Sequence, residues 1–272
     1  MNRKKIIQMV EQVRIHNPLI HNLTNVVVTN FTANGLLAIG ASPVMSTAIE
    51  EVEDLASISN GVLINIGTVT SREIEAMLLA GKAANKKGIP VVLDPVGVGA
   101  TPFRMKTVQK LLENVKFTAI RGNAAEIANI IGESWEIKGV DSQGDGDVRR
   151  LATAAANQLK TMVVVTGEVD IISNGKLTYE VHNGHVWMTK VTGSGCLLGA
   201  VVSAFLAANE NKLEASVAAL VYYGVAAELA VKQATGPGSF QTAFLDALSN
   251  VNEEEIQGLA SYNELIIGES HV

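Results

Sequence analysis

Cysteine is almost absent from this 272-residue chain; Cys196 is the only one. One cysteine cannot close an internal disulfide, so the fold rests on its core and a reducing compartment, the cytoplasm, is expected. Aromatic residues make up only 4%, too few for a platform on which nucleic-acid bases stack. Positive charge is scarce too. The net charge is −6 and the basic cluster Arg3-Lys4-Lys5 has no counterpart elsewhere, which argues against nucleic acid as a partner. Long apolar runs are also missing. The most apolar uncharged ones, 196–208 and 215–227, fall short of the roughly 20 residues that cross a bilayer, so no membrane span is expected. The first residues begin like a secretory signal, but Glu11 interrupts the apolar stretch early.

What is present is a large hydrophobic share, 47%, arranged as strands alternating with helices through short connections. That rhythm implies a single domain over residues 1–272, with a mostly parallel sheet covered by helices on both faces. Helices are expected at 3–16, 27–39, 49–59, 70–87, 102–114 and 124–131. Strands are expected at 19–23, 42–46, 61–67, 91–93 and 117–120. Thr70 stands three residues before Glu73, the spacing of a capping box. After residue 160 four strands follow in quick succession, at 162–166, 170–173, 177–181 and 186–190. Asn174-Gly175 and Asn183-Gly184 separate the last three and signal hairpins, so the sheet should finish as an antiparallel meander. Helices at 192–209, 212–234, 239–250 and 253–261 close the chain.

The stretch Val191-Thr192-Gly193-Ser194-Gly195-Cys196 carries the strongest chemical signal. Its glycines permit a sharp turn and bring backbone N–H groups of Gly193, Ser194 and Gly195 close to a ligand, at the positive end of a helix. Such a turn is an anion hole, suited above all to phosphate. Cys196 sits on its first turn, where a thiolate is favoured, although a Gly-rich corner with an inert buried cysteine has the same appearance.

Ligands of open α/β sheets bind beyond the carboxyl ends of the strands. Thr24 and Asn25, Gly67 and Thr68, Asp94, Arg121 with Glu126, and Thr166 all fall there. Arg121 offers a planar fork for phosphate oxygens, and Asp94 with Glu126 offers the few carboxylates that magnesium takes alongside substrate phosphates. One cation, two acids and an anion hole make the set that phosphoryl transfer uses. Each also has a plainer reading: Glu126 as the capping-box partner of Asn123, Asp94 as a strand end, Arg121 as a surface charge. Other motifs fail. Residues 141–146 begin like a calcium loop but have Ala152 where its bidentate Glu belongs. Gly97-Val98-Gly99 lacks the third glycine of a dinucleotide fingerprint, and His182 with His185 lack further zinc ligands.

Taken together, the motifs resemble the hydroxyethylthiazole kinase family of the ribokinase-like superfamily. The resemblance spans nearly the whole chain. It is carried by Thr24-Asn25, Asn30-Phe31-Thr32-Ala33-Asn34, Gly40-Ala41-Ser42-Pro43-Val44-Met45, Asn65-Ile66-Gly67-Thr68 and Leu93-Asp94-Pro95-Val96-Gly97-Val98-Gly99-Ala100-Thr101. Arg121-Gly122-Asn123-Ala124-Ala125-Glu126-Ile127 and Val191 to Cys196 complete it. The resemblance implies a three-layer α/β/α sandwich, a homotrimer with active sites between subunits, and magnesium-dependent transfer from ATP to the alcohol of 4-methyl-5-(2-hydroxyethyl)thiazole in thiamine salvage. It implies that Arg121, Thr166 and Asn25 bind ATP, with Asn25 near the reacting groups. It further implies that Asp94 and Glu126 serve magnesium, and that Met45, Gly67 and Gly193 contact the thiazole. Cys196 stands where much of the superfamily has an Asp base. A kinase for hydroxymethylpyrimidine or pyridoxal, or a thiazole sensor without turnover, remains as an alternative.

Overall fold

The computed structural model describes residues 1–133 and 145–265; the loop reading at 141–146 falls largely outside them. Nine strands form one sheet in the order β2-β1-β3-β4-β5-β6-β7-β8-β9. Strands β1 (Leu19–Leu23), β2 (Ser42–Met45), β3 (Gly61–Asn65), β4 (Val91–Asp94), β5 (Ala119–Asn123) and β6 (Met162–Thr166) pair in parallel. Strands β7 (Asp170–Ser173), β8 (Thr178–Val181) and β9 (Tyr262–Leu265) continue it antiparallel.

One face is covered by α1 (Arg3–His16), α2 (Thr29–Ala38), α8 (Ser194–Ala208), α9 (Lys212–Val231), α10 (Pro237–Asn250) and α11 (Glu253–Leu259). The other is covered by α3 (Val52–Ile58), α4 (Ser71–Lys87), α5 (Pro102–Asn114), α6 (Ala124–Ile131) and α7 (Asp145–Leu159). This is the expected α/β/α sandwich. β3 shows why: all five residues are buried because helices cover both faces, with Leu63 in one core and Val62 and Ile64 in the other. The Thr70–Glu73 capping box forms as expected and starts α4.

Helix α9 runs longer than its uncharged stretch because Lys212, Glu214 and Glu228 lie within it. By length and composition it could cross a bilayer, but it is mostly buried here, against α1, α8 and α10. A helix apolar nearly all round is explained by that position.

The meander departs from expectation in one strand. Residues Val186–Lys190 form a 3₁₀ helix, and the place beside β8 is taken by β9 from the far end of the chain. Asn174 behaves as a hairpin residue, its Oδ1 accepting the N–H groups of Lys176 and Leu177 at 2.9 Å. Asn183 does not. Its amide donates to Glu228 and to the Leu259 carbonyl, and it accepts from Ser261 N–H, so tertiary bonds replace the turn. Gly224 on α9 makes room for this, since a Cβ there would lie 2.5 Å from Asn183 Cβ.

Candidate active site

Helix α8 begins where the sequence placed the anion hole. Gly193 caps it with φ of 91°, a left-handed conformation that an L side chain rarely takes, and a Cβ there would overlap Val28 Cγ1 at 2.6 Å. No side chain caps this helix start; Ser194 N–H makes a long bond to the Val191 carbonyl at 3.4 Å, and Gly195 N–H is left for an anion. Tyr223 on α9 fixes the turn from below by donating its hydroxyl to the Ser194 carbonyl at 2.6 Å, and Ser194 Oγ donates to the Met188 carbonyl at 2.7 Å.

Arg121 lies on β5 itself, which extends through Asn123 rather than stopping at Ile120. Its partner register places Asn123 opposite Thr166 on β6, and Arg121 Nη2 donates to Thr166 Oγ1 at 2.8 Å. The guanidinium also lies under the anion hole: a Cβ on Gly195 would be 3.0 Å from both terminal nitrogens. Arg121, Thr166, Ser194, Gly195 and Tyr223 line a cleft of about 790 Å³ that continues along Glu168, His182, His185 and Val186. Asp170 also lines the cleft. It accepts Gly167 N–H at 3.0 Å, and burial raises its carboxyl to about 6 although Arg121 opposes the rise.

Asp94 is fully buried at the end of β4. Asn65 Nδ2 donates to its Oδ2 at 2.7 Å, while Oδ1 has no hydrogen bond and faces Arg121 Nη1 at 3.6 Å. Burial raises its pKa to about 6; Arg121 pulls it down and Glu126 pushes it further up. Glu126 is the capping-box partner of Asn123, as the plainer reading had it, with Oε2 accepting Asn123 N–H at 2.9 Å. Its Oε1 accepts Gly97 N–H at 2.8 Å. The cap does not exclude a second role, since it holds the carboxylate close enough to raise Asp94.

Cys196 belongs to a neighbouring cluster. Asn25 Nδ2 donates to Sγ at 3.3 Å and to Asn65 Oδ1 at 3.1 Å, so Asn25, Asn65, Cys196 and Asp94 form one connected group. The thiol pKa is raised, first by burial and then by the Asp94 charge, against the Asn65, Asn25 and Arg121 contacts that lower it. Asn25 therefore lies with Cys196, and the lining of the Arg121 cleft does not include it. Gly67 packs directly on Asn25, where a Cβ would meet Nδ2 at 2.8 Å. Met45, opposite Asn22 at the end of edge strand β2, is half-buried.

Three residues near the site were not singled out from sequence alone: Asn65, Asp170 and Arg104, whose guanidinium donates to the Ile66, Gly67 and Val96 carbonyls. Arg104 had a signal. A cation in the first turn of a helix opposes the dipole, so its charge must serve acceptors elsewhere.

Comparison with known proteins fits this geometry. A family model described as the hydroxyethylthiazole kinase family matches residues 10–254. A hydroxyethylthiazole kinase from Pyrococcus horikoshii OT3 is 42% identical, with TM-score 0.90 over 96% of this chain and 99% of that one. Pyridoxal kinase from Staphylococcus aureus in complex with pyridoxal is 15% identical, with TM-score 0.56 over 75% of this chain and 85% of that one. A ribokinase-like superfamily protein from Enterococcus faecalis V583 is 11% identical, with TM-score 0.63 over 93% and 96% of the two chains. The last two share the fold. With the match extending over nearly its whole length, the chain belongs to the hydroxyethylthiazole kinase family.

Proposed function

We propose that this enzyme transfers the γ-phosphoryl group of ATP to the primary alcohol of 4-methyl-5-(2-hydroxyethyl)thiazole, at a site where the Arg121 cleft meets the Cys196 cluster. The observation that carries this reading is the uncapped start of α8, with Arg121 beneath it and Cys196 on its first turn. ATP would lie along the cleft with its phosphates over Arg121 and Thr166, its terminal phosphate reaching the N–H groups of Gly193, Ser194 and Gly195. The thiazole would lie on the Asn25 side, bounded by Gly67, Gly193 and Met45.

A divalent cation fits these residues. Oδ1 of Asp94, buried without a hydrogen bond and facing Arg121 only at ion-pair distance, is an acceptor that a cation would satisfy, and Glu126, already bonded through both oxygens, is suited to hold a metal-bound water. Among the described residues no three His, Cys, Asp or Glu side chains converge, so the cation would need phosphate oxygens to complete its shell. Magnesium bound there would neutralise charge on the transferring phosphate.

The protein's own contribution is chiefly positioning. Asn25 and Asn65 orient Cys196, whose raised thiol is protonated at neutral pH and supplies little base. A loose phosphoryl transition state asks little of one. Cys196 as a free thiol and ATP as co-substrate both fit a cytoplasmic enzyme.

ADP release in the presence of hydroxyethylthiazole, hydroxymethylpyrimidine and pyridoxal tests the assignment. Turnover with the thiazole is expected to exceed both others. Saturable thiazole binding without ADP release would make the protein a sensor, and preference for pyridoxal would overturn the substrate.

A further inference from the structure

Arg104, the third residue of α5, has its backbone N–H fixed by Thr101 Oγ1 at 3.3 Å. Its guanidinium donates to three backbone carbonyls: Nη1 to Ile66 at 2.7 Å and to Val96 at 2.6 Å, and Nη2 to Gly67 at 2.7 Å. Ile66 and Gly67 follow β3, and Val96 follows β4. One side chain thus ties together the two loops that leave the centre of the sheet. The second loop is folded onto it, because Gly97, at φ of 70°, lies with its Cβ position 3.5 Å from Arg104 Cδ.

A trans peptide points its N–H opposite to its C=O, so each carbonyl drawn to Arg104 turns the next N–H away from it. Two of these three N–H groups hold site residues. The peptide after Ile66 sends Gly67 N–H to Asn65 Oδ1 at 2.9 Å. The peptide after Val96 sends Gly97 N–H to Glu126 Oε1 at 2.8 Å. The third, Thr68 N–H, has no acceptor among the described residues. Asn65 in turn bonds Asp94 and Asn25.

We propose that Arg104 is a positioning residue for phosphoryl transfer, setting Glu126 and the Asn65–Asp94 pair through the peptides it orients. This rests on the proposed role of Asp94 and Glu126 toward magnesium. Arg121 and Thr166 hang on β5 and β6, while the hydrogen bonds of Arg104 go to the loops after β3 and β4. Loss of Arg104 should therefore affect the metal and thiazole sides most, and ATP only indirectly, through the Asp94–Arg121 contact.

The test is steady-state kinetics of Arg104→Met and Arg104→Lys with ATP, thiazole and magnesium varied in turn. It is joined by electron paramagnetic resonance of Mn2+ bound with a non-hydrolysable ATP analogue. Arg104→Met should raise the half-saturating magnesium, the Mn2+ dissociation constant and the thiazole KM by about ten-fold or more, with a clearly smaller change in ATP KM measured at saturating magnesium. Arg104→Lys, which keeps the charge but not the fork, should fall between it and the parent. A lower active fraction with all half-saturation values unchanged would make Arg104 a structural prop and overturn the proposal. If the Met variant does not fold, the Lys variant decides by the same split. Glu126→Gln is the control: unchanged metal binding there refutes the metal role of Glu126, and the thiazole KM then judges Arg104 alone.

Discussion

Cys196 carries two opposing pressures. The helix start favours a thiolate, but burial and the nearby Asp94 charge raise the thiol, and the net effect is upward. The sign for activity follows directly. A base with a raised pKa is mostly protonated at neutral pH and gains its active form as pH rises. If thiolate assists the transfer, kcat of the parent should climb through the alkaline range, and Cys196→Asp should flatten that climb while matching or exceeding the parent near pH 7. Cys196→Ala should keep substrate binding and lose about 10²-fold in kcat, the low end for general-base help. An Asp variant slower than the Ala variant would show that Sγ packs against substrate without accepting a proton.

Helix α8 owes its role to what its first turn omits. Gly195 has no side chain where Arg121 approaches, so the guanidinium can lie against the backbone of the anion hole. Gly195→Ala separates stability from function. Alanine is favoured over glycine within a helix by roughly 1 kcal/mol, so the melting temperature should hold or rise. The new Cβ would nonetheless crowd both Arg121 nitrogens, and ATP KM should rise by about ten-fold while thiazole KM stays put. Unchanged ATP kinetics would mean that Arg121 shifts freely and that its present contact with the turn is incidental. The partner elements limit that freedom, since Thr166 on β6 and Asp94 on β4 hold the guanidinium from two sides.

At the scale of the whole molecule, the chain exposes apolar residues next to Asn25 and elsewhere on its surface. Val26 and Val27, directly after Asn25, are 73% and 65% exposed, and Leu37 and Ile58 are 59% and 67% exposed. Met45 lies on β2, which is the edge of the sheet. Of these, Val26 and Val27 adjoin Asn25, and exposed apolar residues next to an open edge strand suit burial against a second copy. A homotrimer sharing its sites would supply that burial. Light scattering at micromolar concentration should give about three times the chain mass, and Val26→Asp with Val27→Asp should lower both mass and thiazole turnover. An active monomer would refute the shared site.

The amino-acid sequence alone determined the layered α/β/α architecture, because residue periodicity and glycine boundaries act within ten or so residues and hardly depend on distant partners. It also determined the glycine turn that opens α8, whose geometry lies in consecutive backbone groups, and the capping boxes at Thr70 and Asn123. Contacts across many residues were decided by the tertiary structure. The place beside β8 went to Tyr262–Leu265, about 80 residues away, because Asn183 bonds Glu228 and Ser261 instead of closing a hairpin. The extension of β5 through Asn123 followed from pairing with β6, which no local pattern in residues 117–123 encodes. The raised carboxyl of Asp94 and thiol of Cys196 arise from burial by segments far apart in sequence. The same holds for Arg104: its three acceptors belong to two loops that meet only because β3 and β4 are neighbours in the sheet.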